Sequence, residues 1–194
     1  MRDQLTPRER VRLALNHQEP DRVPINITFT SVPYVGLRRE LGLPDEEIHP
    51  DVWDRVVPAL DVVKRMSCDT VQVGLRRPAH VAGLDPTRDT YTDESGVQFV
   101  RTDRPAGGVQ FEMREHPIKE PSFDLLDRYT WPDPYDPSRY VGVADQVRWL
   151  YENTDYAIFA KMAPNVWEAG NNLCGQARWL EYLATEPDFC LALL

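Results

Sequence analysis

Apolar residues recur at helical spacing from the start of the chain. In VRLAL they lie at i, i+3 and i+4, which predicts a helix that packs on one face. Thr6 precedes Pro7, and Glu9 follows three residues after Thr6, so we expect a capping box at the start of this helix. Pro20 ends the helix, and the alternating run VPINITF predicts a first strand.

The following segments predict further helices and a second strand. VPYVGLRRELG indicates a short helix, and HPDVWDRVVPALDVVKRM carries four apolar residues at helical spacing: Val52, Val56, Leu60 and Val63. Because Pro58 lies inside that run, we expect a kink or two abutting helices there. The short, β-branched run CDTVQVGL predicts the second strand.

In the middle of the chain, apolar and polar residues alternate on either side of polar turns, a pattern that predicts antiparallel strands. In DTYTDESGVQFVR, Tyr91 precedes a polar turn that ends at Gly96, and the residues after the turn alternate between apolar and polar. This pattern is typical of a β-hairpin, to which GVQFEMREHPI adds a third strand. We therefore assign residues 88–118 to an antiparallel β insert.

The last third of the chain returns to helices and a strand. Asp136 can cap a helix whose apolar stripe covers residues 140–151. The continuous apolar run YAIFAKM predicts a parallel strand that is covered on both faces. The remainder is predicted to be helical, with breaks at Gly170, Gly175 and Pro187.

Strands that alternate with helices predict parallel βαβ units and an α/β fold. Three such units are too few for an eight-stranded α/β barrel, which takes about 250 residues. The final helix begins at Pro187 and has no glycine or asparagine cap by Leu194. We therefore interpret residues 1–194 as the front half of a larger domain.

The charge balance narrows the possible partners. The net charge is −9, from 31 acidic and 22 basic residues, which disfavours a nucleic-acid or anionic-membrane surface and indicates a soluble acidic protein. An isolated pocket of arginines could still bind an acidic small-molecule substrate. No stretch approaches about 18 apolar residues, and no signal peptide precedes the first helix. Cys68, Cys174 and Cys190 lie among apolar or small residues, which indicates buried free thiols and a reducing cytoplasm.

Four motifs together resemble the uroporphyrinogen decarboxylase superfamily. They are TPRERVRLALNHQEPDRVPI at the start, YTDESGVQF in the insert, YTWPDPYDPSRY before a long helix, and NTDYAIFAKMAP into a strand. The resemblance runs in order along essentially the whole chain. It is closest to the branch of corrinoid-dependent methyltransferases and aryl O-demethylases, for which the opening motif is characteristic.

This resemblance implies a (β/α)8 barrel with its site at the carboxyl ends of the strands. The chain would then be a partial TIM barrel: an N-terminal helix, about the first three β/α units and the antiparallel insert. The missing C-terminal half, or an oligomer, would cover the open barrel edge.

The chain departs from the true decarboxylases of this superfamily at three motifs. Their arginine-rich R-Q-A-G-R-Y segment is replaced here by TFTSVPYVGLRRE, in which Arg38 and Arg39 lie inside a predicted helix. Their F-S-D-I aspartate is missing from VGLRRPAH, and their G-x-P-W-T segment becomes APNVWEAGNN, with Asn171 near the place of a tyrosine. These differences argue against uroporphyrinogen as the substrate.

The methyltransferase branch binds zinc through a His-x-Cys pair and a distant cysteine, all in the later half of its chains. The zinc stabilises the thiolate of an acceptor. Here the histidines His17, His49, His80 and His116 stand singly, with no cysteine two residues away. We expect this chain to bind no metal or cofactor, and the full-length protein to use zinc and a corrinoid protein.

Residues just beyond the strands face the site of a barrel. Those expected to bind substrate are Arg76, Arg77, Lys161, Asn165, Trp167 and Glu168; no catalytic residue is identified. The two arginines would bind a carboxylate or phosphate, or else are solvated residues of a loop. Trp167 and Asn165 would form a wall for an aromatic ring or corrin edge, or else belong to ordinary helix packing.

Lys161 interrupts the apolar run YAIFAKM, where an unpaired ammonium would be costly to bury. We expect it to reach the barrel mouth or to pair with an acid such as Glu168. Asp93 and Glu94 stand side by side in TDESG, which we interpret as a solvated turn.

Three functions follow from these patterns. The leading hypothesis is an N-terminal enzyme fragment, inactive alone, of a protein that transfers methyl groups from a small methylated or methoxylated molecule through a corrinoid protein. The first alternative is a uroporphyrinogen decarboxylase of porphyrin synthesis. The second is a non-catalytic remnant or interaction module.

Overall fold

The computed structural model describes residues 4–105, 108–161 and 166–194. Its helices are α1 (Pro7–Leu15), α2 (Ser31–Glu40), α3 (Leu60–Arg65), α4 (Phe123–Arg128), α5 (Val143–Asn153), α6 (Val166–Cys174), α7 (Gln176–Thr185) and α8 (Pro187–Leu193). Its strands are β1 (Phe29–Thr30), β2 (Arg55–Val56), β3 (Thr70–Gly74), β4 (Thr90–Thr92), β5 (Gln98–Asp103), β6 (Val109–Glu115) and β7 (Ala157–Lys161).

The chain divides into two compact units. Unit 1 takes Met1–Arg76 and Pro137–Lys161, and unit 2 takes Arg77–Asp136 and Met162–Leu194. The fold is mixed α/β with open sheets: β3 pairs with β7, β1 with β2, and β4, β5 and β6 form a third sheet. The described residues form no closed barrel.

The parallel pair of β3 and β7 organises unit 1, and both strands lie where the sequence predicts them. Thr70 is opposite Ala157 and Gly74 is opposite Lys161, so the two strands end together. The core beside them contains Val63, Cys68, Val71, Val73 and Leu150. The strand YAIFAKM is less covered than predicted, since Phe159 is 41% exposed.

The predicted first strand is regular only at its end. β1 covers Phe29–Thr30 and pairs antiparallel with β2, whereas residues 23–28 lack regular strand structure. Even so, the Asp69 N–H donates to the Ile25 carbonyl at 2.8 Å, and Asn26 Oδ1 accepts a hydrogen bond from Thr70 Oγ1 at 2.7 Å. These contacts advance together, so this segment follows β3 in the parallel direction.

The predicted helix over HPDVWDRVVPALDVVKRM is wrong in its first half. The N–H groups of Trp53 and Arg55 donate to the Asp51 carboxylate, which holds this segment in a tight loop before β2. The helix is only α3, which begins after Pro58 and Ala59, because a proline is not accommodated inside a helix.

The start of α1 confirms the predicted capping box. The Glu9 N–H donates to Thr6 Oγ1 at 3.2 Å, and the Thr6 N–H donates to Glu9 Oε2 at 2.9 Å. The long helix predicted from Pro137, with its apolar stripe over residues 140–151, is instead divided. A 3-10 turn ends at Tyr140, and Gly142 adopts a φ of 75°, so α5 begins only at Val143.

The antiparallel insert of unit 2 is confirmed. β5 pairs with β4 on one side and with β6 on the other. The turn between β4 and β5 is built on Asp93, whose Oδ1 accepts the N–H groups of Ser95 and Val97, both at 2.9 Å. This contact confirms that TDESG forms a turn, but the turn is not fully solvated as predicted, since Asp93 is half-buried while Glu94 is exposed.

The helices of unit 2 pack around Trp179, Phe189 and Leu173. The breaks at Gly175 and Pro187 are confirmed, but Gly170 lies inside α6 without a break. A Cβ at Gly170 would lie 2.1 Å from Trp179 Cε2, so glycine is needed there for packing. All three cysteines are buried free thiols, as predicted.

The helices in the described part of the chain lack the combination of length and apolar character that a membrane crossing requires.

Candidate functional site

Three segments of unit 1 converge at the carboxyl ends of β3 and β7. Gly74 ends β3 opposite Lys161, which ends β7. Thr30, the last residue of β1, pairs with Arg55 of β2. The loop that leads into β2 contacts Lys161 through Asp51. Polar residues from distant parts of the chain therefore meet at one edge.

Asp51 is the centre of this edge. Its Oδ1 accepts the N–H groups of Trp53 at 3.0 Å and Arg55 at 2.9 Å, and its Oδ2 accepts Arg55 Nε at 2.8 Å. Burial opposes ionisation of Asp51, but the hydrogen bonds from Arg55 outweigh it, so the pKa of Asp51 lies below its ordinary value. The result is a carboxylate held in one orientation.

Lys161 lies against this carboxylate. Its Nζ is 3.3 Å from Asp51 Oδ2, and the side chains are 29% and 31% exposed, respectively. The sequence predicts that Lys161 reaches the barrel mouth or pairs with an acid such as Glu168; in the structure it pairs with a different acid, Asp51. Asp51, Arg55 and Lys161 are called the carboxyl-end cluster below.

The two adjacent arginines beyond β3 belong to different units. Arg76 is exposed in unit 1; its N–H donates to the Arg139 carbonyl at 2.9 Å, and its guanidinium lies beside Gly142. Arg77 belongs to unit 2 and donates from Nε to the Val81 carbonyl at 2.9 Å. Each arginine therefore makes these contacts within its own unit.

The remaining predicted site residues follow β7. Trp167 and Glu168 are exposed residues in the first turn of α6, in unit 2, and Trp167 is 49% exposed. Asn165 lies outside the described residues. Of the predicted set, unit 1 contains Arg76 and Lys161, whereas Arg77, Trp167 and Glu168 belong to unit 2.

The opposite end of the same strand pair carries a buried ionic network. Arg10 donates to Asp21 through Nε at 2.6 Å and Nη2 at 2.9 Å, and to Asp69 through Nη1 at 2.5 Å. Arg22 donates to both oxygens of Asp69, at 2.6 and 3.0 Å. The Ile25 N–H adds a fourth bond to Asp69 at 2.7 Å.

This network, called the amino-end clamp below, consists of Arg10, Asp21, Arg22 and Asp69. The Arg10 and Asp69 side chains are fully buried. The clamp joins α1, the EPDRVP segment and the start of β3. The opening motif TPRERVRLALNHQEPDRVPI therefore has a structural role in this chain.

Arg38 is also used structurally. It is buried in α2, donates to both oxygens of Asp61 at 3.0 and 3.1 Å, and lies 2.8 Å from Glu46 Oε2. It also donates to the Pro44 carbonyl at 2.7 Å. These partners occupy the guanidinium, while the neighbouring Arg39 is exposed.

The sequence does not identify Asp51 or Arg55 as site residues. HPDVWDR contains the signal that could have done so, because an aspartate after a proline, followed by residues that are not proline and can donate their N–H groups to it, is typical of an Asx turn. The apolar spacing of the same segment led instead to a helix.

Across the residues that the structure describes, no three histidine, cysteine or acidic side chains come together as a metal-binding group. No family model, curated protein or solved structure matched the chain when it was compared with them. The function is therefore inferred from the resemblance and the geometry alone.

Proposed function

We propose that this chain is the first part of a barrel enzyme similar to the uroporphyrinogen decarboxylase superfamily. The enzyme transfers a methyl group from a small methylated or methoxylated molecule through a corrinoid protein. The observation that carries the proposal is the convergence of the strand ends: Asp51, Arg55 and Lys161 meet where the parallel pair β3 and β7 ends. Barrel enzymes place their sites at this end of the strands.

The strand arrangement supports a partial (β/α)8 barrel. Residues 25–26 follow β3 in parallel, and β3 pairs in parallel with β7, which suits three successive barrel strands. The crossover from β3 to β7 includes the antiparallel insert and ends in α5, which contacts both strands. In the proposed barrel the next parallel strand lies along the other edge of β7.

The surface beside β7 suits a further strand. A groove of about 520 Å³ lies between α1, α5 and β7, and its lining includes Val11, Leu15, Tyr151, Ile158 and Phe159. Leu15 is 68% exposed and Phe159 is 41% exposed. Covering this groove would remove large apolar side chains from water, which stabilises the complete domain.

Methyl transfer is favoured over porphyrinogen decarboxylation because of Arg38. A decarboxylase of this superfamily binds the carboxylates of its substrate through arginines near the N-terminus. Here the buried Arg38 is already paired with Asp61 and Glu46. The Arg38 guanidinium could bind a substrate carboxylate only by breaking these ion pairs.

The zinc implied by the methyltransferase branch would act as a Lewis acid toward a thiol acceptor. The described residues offer no three-ligand group for it. The resemblance places the zinc ligands of such enzymes in the later half of their chains, and we propose that the part played by this chain is to bind and orient the substrate.

The test begins with the reading frame downstream of the Leu194 codon, followed by an assay of the complete gene product. The product is incubated without oxygen with reduced cobalamin and a panel of methoxylated and methylated compounds, and methyl transfer is followed by the visible spectrum of the cobalamin. The proposal predicts transfer from at least one compound, and a loss of kcat/KM in Lys161→Met but not in Lys119→Met.

A parallel assay offers uroporphyrinogen and separates the porphyrins formed. Loss of carboxyl groups without methyl transfer would replace the proposal by the decarboxylase. If the complete gene product has neither activity and does not bind the small molecules, the result would favour a non-catalytic interaction module.

A further inference from the structure

The carboxyl-end cluster holds more positive than negative charge. It contains two cations, Arg55 and Lys161, around one carboxylate, Asp51. This local excess opposes the net charge of −9 of the whole chain. A positive site on an acidic protein attracts a small anion locally without making the protein bind polyanions in general.

The hydrogen bonds of Asp51 show which cation has capacity left. Asp51 already accepts two backbone N–H groups and Arg55 Nε, the last at 2.8 Å. Lys161 shares Oδ2 with Arg55 and lies further away, at 3.3 Å. An ammonium has three N–H donors, and within the described part of the chain Asp51 is the ion-pair partner of Lys161. Lys161 is therefore the weaker partner of Asp51 and has donors left for a ligand.

The surroundings of Lys161 fix the position of its ammonium before a ligand binds. Its backbone is fixed in β7 opposite Gly74, which presents no side chain beside it. Its ammonium is oriented by Asp51, which the backbone of its own loop holds in place. Such preorganisation reduces the entropy lost when a ligand binds.

From this geometry we infer that Lys161 binds the oxyanion group of a small molecule, a carboxylate or a phosphate, and that Asp51 positions it. The inference deepens the proposed function, since it names the chemistry of the substrate at the same strand ends. The ligand completes the ion pairing of the cluster and accepts charge-assisted hydrogen bonds from the ammonium.

The chain offers a direct experiment because it contains only three lysines, Lys64, Lys119 and Lys161. Protein labelled with ¹³C at the lysine ε carbons gives one NMR signal for each. Lys119 is a matched control, since it is paired with Glu115 at 2.7 Å on the surface, and Lys64 is exposed. The probes are benzoate, inorganic phosphate and benzamide, the last having the shape of benzoate without its charge.

We expect benzoate or phosphate to move the Lys161 signal saturably while the Lys64 and Lys119 signals stay in place and benzamide has no effect. If the benzoate titration saturates at the lower concentration, the preferred ligand group is a carboxylate; if the phosphate titration does, it is a phosphate. In Lys161→Met, binding followed at the Gly74 amide weakens by about tenfold or more, whereas Lys119→Met leaves it unchanged.

Equal movement of all three lysine signals, or none, would overturn the inference. An effect of benzamide equal to that of benzoate would also overturn it, because the ligand would then be recognised by its ring. These results do not depend on methyl transfer: an enzyme that transfers methyl groups but shows no anion effect at Lys161 fails only the inference. Anion binding without methyl transfer fails only the proposed function.

Discussion

The ionic groups at the two ends of the β3 and β7 pair differ in charge balance and in burial. The amino-end clamp contains two arginines and two aspartates, so its charges balance, and Arg10 and Asp69 are fully buried. The carboxyl-end cluster has two cations for one carboxylate, and each of its side chains is about a third exposed.

This difference in burial and charge balance distinguishes charged residues that stabilise the fold from charged residues that can bind a ligand. A buried charge is tolerated only when its partners are complete, and removing one partner is strongly destabilising. An exposed pair contributes little to stability and remains open to a ligand. The amino end is therefore expected to govern folding, and the carboxyl end to govern binding.

The largest effect is expected from Asp69→Ala. The change leaves Arg10 buried without one of its carboxylates, removes one of the acceptors of Arg22, and removes the acceptor of the Ile25 N–H. We expect a loss of about 3–5 kcal/mol of unfolding free energy in urea titrations. Asp145→Ala, which removes the exposed partner of Arg148, is the control and should leave the midpoint in place. Equal midpoints for the two variants would remove the distinction between the ends.

A second effect concerns acid stability. The hydrogen bond from Arg10, with those from the Gln4 and Leu5 N–H groups, outweighs burial and holds the pKa of Asp21 below its ordinary value of 3.8. A lowered folded-state pKa stabilises the protein above the unfolded value and loses this contribution as the pH falls below it. Asp21→Asn should thus be less stable than the wild type near neutral pH.

The gap between Asp21→Asn and the wild type should narrow as the pH falls below 3.8. Urea titrations over this range measure it. A gap that stays constant with pH would show that Asp21 contributes through shape and not through charge.

A smaller effect is expected from Asp51→Asn. The amide oxygen still accepts the backbone N–H groups of the loop, but the ion pairs with Arg55 and Lys161 are lost. Since the pairs are partly exposed, we expect a loss of about 1 kcal/mol or less by urea titration. The Lys161 ε-carbon signal should move more than those of Lys64 and Lys119. A loss as large as that of Asp69→Ala would make the carboxyl end structural too.

The smallest effect on stability is expected from Lys161→Met. The substitution keeps the apolar stem and removes only the ammonium, whose pair with Asp51 is long and partly exposed. Thermal and urea unfolding should change by less than about 0.5 kcal/mol, while anion binding is lost. A large loss of stability here would mean that the ammonium holds β7 in place.

Much of the fold follows from local patterns. The capping box of Thr6, the turn at Asp93, the insert strands and the strands β3 and β7 are all predicted, because each depends on residues close in sequence. The exposure of Phe159 is not predicted, because apolar periodicity does not show which neighbours cover a strand.

One error occurs where a side chain competes with the backbone. In HPDVWDR the apolar spacing suits a helix, but the Asp51 carboxylate takes two N–H groups that a helix would need. The other errors concern glycines: Gly142 adopts a positive φ and divides the predicted long helix, whereas Gly170 lies inside α6, where it makes room for Trp179.

The candidate site is predicted only in part. The position of Lys161 at a strand end follows from the interrupted apolar run. Its partner does not, because Asp51 lies 110 residues away and no local rule links the two. The sequence also gives no indication that Arg76 and Arg77, which are adjacent in the chain, fall into separate units.

The division of unit 1 into two stretches has a consequence for the order in which the protein is made. Residues 77–136 belong to unit 2 and separate β3 from the stretch that carries β7. At a synthesis rate of roughly 5–20 residues per second, β3 waits on the order of ten seconds for its strand partner. The four residues of the clamp are all made before β3, so Asp69 can be joined to α1 while the core around Val71 and Val73 still lacks Leu150 and Ile158. The clamp gives the nascent strand a fixed position during the interval in which it is most exposed to aggregation.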